Sequence, residues 1–148
     1  MNDGLIPLTA LDKPRAYAIY CAGMQGKLSR CAGWDPVLQR QGFEQSFTAG
    51  TLFWYRHQGQ EVALLSLSRR DYGLHVHLLV VLDQWRRQGM GRRVLAHLHG
   101  LSSGRVTLSC LRDDKPVRAF YAEMGYHIAG MEPDFLNLEW PGPQARAG

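Results

Sequence analysis

The stretch Leu78–Leu95, LLVVLDQWRRQGMGRRVL, organises the rest of the chain. It begins with five consecutive apolar residues, too few to span a bilayer and suited to a buried strand. After the turn Arg86-Arg87-Gln88-Gly89-Met90-Gly91, apolar residues recur at helical spacing: Met90, Val94, Leu95, Leu98 and Leu101. A strand, a short basic loop with glycines and a helix start together make an anion site. The first N–H groups of a helix have no partner within it, the helix dipole adds partial positive charge there, and glycine lets an anion approach the backbone. Arg86, Arg87, Arg92 and Arg93 add full charges around the same point. The expected occupant is a phosphate-bearing ligand.

The chain has 148 residues, enough for one domain, and 45% of them are hydrophobic, enough to fill a core. The formal charge of +4 is modest and four arginines lie in the eight residues from Arg86 to Arg93, a cluster that fits a local anion site better than a polyanion-binding face. No aromatic-interleaved basic strand is present, so a nucleic-acid partner is not expected. Cys21, Cys31 and Cys110 are odd in number and form no CxxC pair, so neither a disulfide framework nor a thiolate metal site is indicated. The N-terminal MNDGLIPLTALD carries acids and lacks the basic-then-apolar pattern of a signal peptide. The expectation is a cytoplasmic protein without membrane or metal, monomeric or homodimeric.

Working outward from the central stretch, period and punctuation give the remaining elements. Leu5–Leu11 reads as a first strand, with Pro7 pointing to an edge or a strand start. A helix follows from Lys13, with Pro14 in its first turn and Gly23 and Gly26 weakening it. Residues 29–33 read as a connection. A second helix is capped by Asp35 and opened by Pro36; Val37, Leu38, Phe43 and Phe47 form its apolar face, and Gly42 interrupts it. Thr51–His57 and Glu61–Ser68 read as a hairpin around Gln58-Gly59-Gln60. After a turn at residues 69–73, Leu74–Leu82 is the third strand of an antiparallel meander. Beyond the central helix, Arg105–Leu111 alternates as a strand. Asp113-Asp114-Lys115-Pro116 starts a last helix with Val117, Phe120, Tyr121 and Met124 on one face, and Gly125 ends it. Tyr126–Met131 and Phe135–Trp140 close the sheet. Residues 1–140 form one domain, and residues 141–148 form a mobile tail with nothing apolar to pack. The class is α/β (α+β): a mixed, mostly antiparallel sheet with one parallel crossover at strands four and five and helices on both faces.

This order, with two local motifs, resembles the GNAT superfamily of acetyl-CoA-dependent N-acetyltransferases. Arg86-Arg87-Gln88-Gly89-Met90-Gly91 resembles the family's [Q/R]-x-x-G-x-[G/A] pyrophosphate loop, and Phe120-Tyr121-Ala122-Glu123-Met124-Gly125-Tyr126 resembles its FYxxxGF helix end. The separation of the two is also the family's, and Gly33-Trp34-Asp35 with Gln39 and Phe43 is similar to a stretch of some bacterial members. The resemblance implies that acetyl-CoA is the co-substrate. It implies that the backbone of Leu79, Val80 and Val81 pairs with the pantetheine arm, and that the loop Arg86, Arg87, Gln88, Gly89, Met90, Gly91 and Arg92 holds the pyrophosphate. Tyr121 would sit near the thioester sulfur. Asp114 stands where many members carry an asparagine that contacts the cofactor arm, and it is also a plain helix cap.

Amine acetylation sets further demands. An alkylammonium with a pKa near ~10.4 must lose a proton before it attacks a thioester. The oxyanion that develops needs a fixed donor, for which a backbone N–H near Val81 is the natural choice. The departing thiolate needs an acid, and Tyr121 is the best placed; as ordinary core packing it is the plain alternative. The base stays open. Ser109 stands where some members carry an acid, and it is no comparable base. His77 is the leading candidate, with His75, Glu61, Asp71 or water as alternatives; His75 and His77 share a strand face. Without visible further ligands they do not read as a zinc pair, and His97 and His99, two apart on a helix, diverge. The amine acceptor is unspecified, as is the use of longer acyl-CoAs. Trp34, Phe53, Trp54 and Tyr55 hint at a partly aromatic acceptor wall. A non-catalytic CoA sensor or partner-binding module on the same fold is the alternative function.

Overall fold

The computed structural model describes residues 3–28 and 35–143. Its strands form a seven-stranded sheet in the order β1-β2-β3-β4-β5-β7-β6. In chain order these are β1 (Gly4–Pro7), β2 (Leu52–His57), β3 (Gln60–Arg70), β4 (Gly73–Val81), β5 (Arg105–Leu111), β6 (His127–Met131) and β7 (Phe135–Trp140). The helices are α1 (Lys13–Leu28), α2 (Pro36–Thr48), α3 (Met90–Leu101) and α4 (Lys115–Glu123). β4 and β5 run parallel through three pairs, Gly73–Arg105, Leu74–Val106 and His75–Thr107, after which β4 continues to Val81. β7 is antiparallel to both β5 and β6. This is the mixed sheet with a parallel crossover that the sequence pattern implies.

Compactness divides the chain into two units: Met1–Ser66 with Leu78–Met90, and Leu67–His77 with Gly91–Gly148. In the first, Ala16, Tyr20, Phe43, Leu52, Trp54, Leu64, Leu78 and Val80 form a buried cluster. Tyr17 and Tyr20 meet Phe43 edge-on at centroid distances of 5.1 and 5.4 Å, an aromatic geometry that adds to simple burial. In the second unit, Val94, Leu95 and Leu98 of α3 are fully buried, as are Val106 of β5 and, nearly so, Leu136 and Leu138 of β7.

Several local expectations are corrected. β1 stops at Pro7 rather than running to Leu11, because Ala10–Asp12 forms a 3-10 turn closed by Thr9 N–H donating to Asp12 Oδ2 at 2.8 Å. Asp83–Trp85 is a second such turn that periodicity did not reveal. Gly23 does not weaken α1: a Cβ there would lie 2.5 Å from Val80 Cγ2, so the glycine lets the helix lie close on β4. Nor does Gly42 interrupt α2, where an added Cβ would meet the Tyr20 hydroxyl at 3.1 Å. Asp35 caps α2 as expected, accepting from Val37 N and Leu38 N, yet Val37 and Leu38 are 65% and 60% exposed. Their spacing is helical, but the first turn of α2 lies outside the apolar cluster. Leu101, at the last turn of α3, is likewise exposed. β3 extends to Arg70, which shortens the following turn to Asp71-Tyr72.

Candidate functional site

The turn between β4 and α3 is shaped by backbone as much as by charge. Arg87 has φ 61 and Gly89 φ 76, both left-handed. For Gly89 that conformation is free of the Cβ penalty; for Arg87 it costs ~1 kcal/mol, a strain of the kind that accumulates at binding loops. Nothing lies within 4 Å of where a Gly89 Cβ would sit, so the backbone there is open to a ligand. Residues 86–89 are exposed, and α3 begins at Met90 with its first N–H groups unpartnered within the helix. Left-handed turns leading into a helix N-terminus cluster N–H groups into an anion-binding concavity, so the residues present fit a diphosphate.

The side chains brace this turn. Arg86 Nε donates to the Val81 carbonyl at 3.2 Å, and its Nη1 lies 3.3 Å from Asp83, tying the loop back to the end of β4. Gln88 Nε2 donates to the Gln84 carbonyl at 2.8 Å. Arg92 pairs with Glu123 at 3.0 Å and also reaches Met124 Sδ at 3.5 Å, so its guanidinium is directed to the end of α4. Leu79 and Val81 are half-buried on one side of β4 while Leu78 and Val80 are buried on the other.

Tyr121 lies on α4, which Asp114 opens by accepting from Val117 N at 3.2 Å. The Asp114 side chain is thus the helix cap. As a whole residue Tyr121 is half-buried, yet desolvation of its hydroxyl, with Cys110 beside it, pushes its pKa up to about 12. Its ring meets those of Phe120 and Tyr126 edge-on, at 5.3 and 5.4 Å. Tyr126 is raised further still, chiefly by burial and secondly by Tyr121, and its hydroxyl pairs with His99 Nε2 at 2.8 Å. A phenol in such surroundings stays protonated across the physiological range and can donate.

The base candidates separate. Glu61 is held by Arg15 at 2.9 Å and by Arg56 at 3.0 Å, which fixes it as a structural anion. Asp71 is exposed in the β3–β4 turn, and Ser109 faces out from β5. His75 and His77 meet edge-on with ring centroids 4.7 Å apart. His77 Nε2 lies 2.7 Å from Ser68 Oγ, and His75 Nδ1 lies 2.7 Å from Thr107 Oγ1. Burial lowers both pKa values, followed for His75 by the charges of His77 and Arg70, and for His77 by Arg70. Both rings are therefore neutral, and able to accept a proton, at pH 7.

Ser68, Tyr72 and Thr107 around the histidines were not singled out from the sequence. Strand alternation places Thr107 and His75 on outward faces, but only the register makes them neighbours. A half-buried Asp3–His57 pair was also missed: His57 Nδ1 lies 2.6 Å from Asp3 Oδ2, and Tyr55 donates to the same carboxylate at 3.3 Å. The His57 hydrogen bond is the main cause holding the Asp3 carboxyl below the usual range. Trp54 and Tyr55 are 2% exposed, so they are core residues rather than an acceptor wall; Phe53 is half-buried. Trp34, Cys31 and the connection at 29–33 lie outside the described residues, as do residues 144–148 of the expected tail. Among the described residues no helix is long and apolar enough to cross a membrane, and no three His, Cys, Asp or Glu side chains cluster to hold a metal.

Known proteins converge on this architecture. An uncharacterized N-acetyltransferase of Bacillus subtilis (strain 168), YesJ, is 29% identical over 72 residues, a match spanning 46% of this chain and 40% of that protein. An acetyltransferase structure from Thermus thermophilus superposes with a TM-score of 0.73 at 14% identity, covering 95% of this chain and 97% of its own. The PaiA N-acetyltransferase of Thermoplasma acidophilum, in complex with coenzyme A, gives a TM-score of 0.70 at 8% identity, with 95% and 99% covered. At these identities the structures show a shared fold. The family model of the acetyltransferase (GNAT) domain matches residues 48–128, from the end of α2 into β6 and more than half of the chain. The chain belongs to the GNAT acetyltransferase family.

Proposed function

We propose that the protein is an acetyl-CoA-dependent N-acetyltransferase that moves an acetyl group to a primary amine, of a small molecule or a peptide, by direct attack in a ternary complex. The observation that carries this reading is the turn Arg86–Gly91, with left-handed Arg87 and Gly89 opening α3 at an exposed, arginine-rich point. The backbone amides of Arg87 through Arg92 hold the pyrophosphate, with Arg86, Gln88, Gly89, Met90 and Gly91 shaping the loop. The backbone of Leu79, Val80 and Val81, in the part of β4 past its three parallel pairs, hydrogen-bonds the pantetheine arm as an added strand. An N–H near Val81 steadies the oxyanion. The Tyr121 hydroxyl protonates the departing thiolate, and a β4 histidine, His77 or His75, takes the proton of the ammonium. Asp114 supports the site by capping α4. The protein works in the cytoplasm as a monomer or homodimer, without metal.

A melting curve with and without CoA, followed by an amine panel read as free thiol released from acetyl-CoA, tests this. CoA raises Tm and at least one amine accelerates thiol release. A folded protein whose Tm is unmoved at millimolar CoA contradicts the proposal. One observation favours the second reading, a CoA-binding module without turnover: the carboxylate of Glu61 is committed to two arginines. A Tm shift with no thiol release for any amine establishes that module instead.

A further inference from the structure

Thr107 Oγ1 is the centre of a small polar network. It lies 2.7 Å from His75 Nδ1, 2.7 Å from the Tyr72 hydroxyl and 3.4 Å from the Leu74 carbonyl oxygen. A threonine hydroxyl has one proton and two lone pairs, whereas a carbonyl only accepts. All three contacts are satisfied in one arrangement: Thr107 donates to Leu74, and Tyr72 O–H and His75 Nδ1–H both donate to Thr107. If Thr107 donated to His75 instead, its oxygen and the Leu74 carbonyl would face each other with lone pairs only. Neutral His75 thus keeps its proton on Nδ1 and a bare lone pair on Nε2. On the neighbouring ring, His77 Nε2 is engaged by Ser68 Oγ at 2.7 Å.

Resting on the acetyltransferase reading above, we infer that Tyr72 and Thr107 are positioning residues that fix His75 as its Nδ1–H tautomer, so that His75 Nε2 takes the proton of the acceptor ammonium. The balance is complete. One ammonium N–H bond breaks as His75 Nε2–H forms, and the freed lone pair bonds the acetyl carbon while the carbon–sulfur bond breaks. Tyr121 gives its proton to the thiolate and regains one from the nitrogen as the amide forms; His75 then releases its proton to water. The charged and titratable groups around the pair are Arg70 at the end of β3, Tyr72 in the turn, and Arg105 of β5, which lies over the Tyr72 ring at 4.4 Å and pairs with Glu139 of β7. His77 beside it, with Arg70, disfavours a second positive charge.

Two readouts test this. In the wild-type protein above pH 7, the ¹⁵N resonances of His75 should report a protonated Nδ1 and a bare Nε2, and Thr107→Val should move His75 toward the other tautomer. In amine acetylation, Thr107→Val should lower kcat by about tenfold or more, less than the roughly 10²-fold or greater loss of a whole general base because the base is misoriented and not removed, with KM for acetyl-CoA unchanged. It should also shift the acidic limb of the pH profile, Thr107→Ser should restore both, and Tyr72→Phe should fall between. A His75 protonated on Nε2 in the wild type overturns the inference whatever the enzyme does, because that measurement needs no variant and no turnover. An acidic limb unmoved in a folded Thr107→Val protein overturns the role of His75 as base. If no amine is acetylated, the proposed function falls, and the ¹⁵N result alone upholds or overturns the tautomer assignment.

Discussion

The turn Arg86–Gly91 and the network around Thr107 are built by opposite means. The turn offers its proposed ligand mainly backbone: left-handed φ angles at Arg87 and Gly89, and the opening N–H groups of α3. Its side chains brace it, as when Arg86 ties itself to the Val81 carbonyl. The network is made mainly of side chains, Ser68, Tyr72, His75, His77 and Thr107, brought together from β3, the following turn, β4 and β5, with the Leu74 carbonyl as a backbone acceptor. A backbone site depends on conformation and tolerates changes of side chain that preserve it. A side-chain site fails with the loss of one hydroxyl, because a histidine tautomer is set by its single partner.

The sharpest break of that contrast is at Gly89. Gly89→Trp puts a bulky side chain on a left-handed residue in open space, so the protein should stay folded while CoA affinity drops about 100-fold or more and the CoA-induced Tm rise disappears. Arg86→Ala, by contrast, should weaken binding far less, and an equal loss would show that side-chain charge rather than backbone makes the site. Tyr121→Phe removes a proton donor without touching the turn; kcat should fall by about 10²-fold with CoA affinity unchanged. Equal affinity and equal turnover would leave Tyr121 as packing.

Gly23 sharpens the comparison from the structural side. Gly23→Ala pushes against the buried Val80 of β4, and overpacking of this kind costs about 1–3 kcal/mol, which urea denaturation measures. The higher helix propensity of alanine offsets only about 1 kcal/mol of that. The pH profile separates acid from base. Lowered histidine pKa values put the acidic limb of kcat/KM below about 6.5, the ordinary imidazole value. Activity should rise as pH passes upward through that limb, since the neutral ring is the proposed base. Tyr121, raised to about 12, contributes no alkaline limb below that pH. The smallest effect is at Asp35→Ala, which removes the cap of α2 and should cost about 1 kcal/mol of stability with CoA affinity unchanged.

What was legible in the sequence follows the same division. The turn was readable because its parts are consecutive: an apolar run, a basic glycine turn, then helical spacing through Val94, Leu95 and Leu98. The α2 and α4 caps at Asp35 and Asp114 were readable because capping is local. The left-handed φ of Arg87 was not, since no residue type signals it. Ser68 and Thr107 were not, since alternation gives a strand residue its face and never its neighbour across the sheet. The glycines Gly23 and Gly42 read as helix breakers because propensity sees the chain alone, whereas here each permits a close approach, to Val80 and to Tyr20. Val37 and Leu38 kept helical spacing yet stayed exposed, for periodicity says which residues share a face and not whether anything covers it.

The central claim is that the turn between β4 and α3 is a backbone cradle for the CoA diphosphate. Titrating CoA into the ¹⁵N-labelled protein tests it most directly. The account predicts that the amides of Arg87 through Arg92 show the largest, saturable shifts, with Gly89 among them. A folded protein that binds CoA while those amides stay where they were, or that does not bind CoA at all, contradicts it.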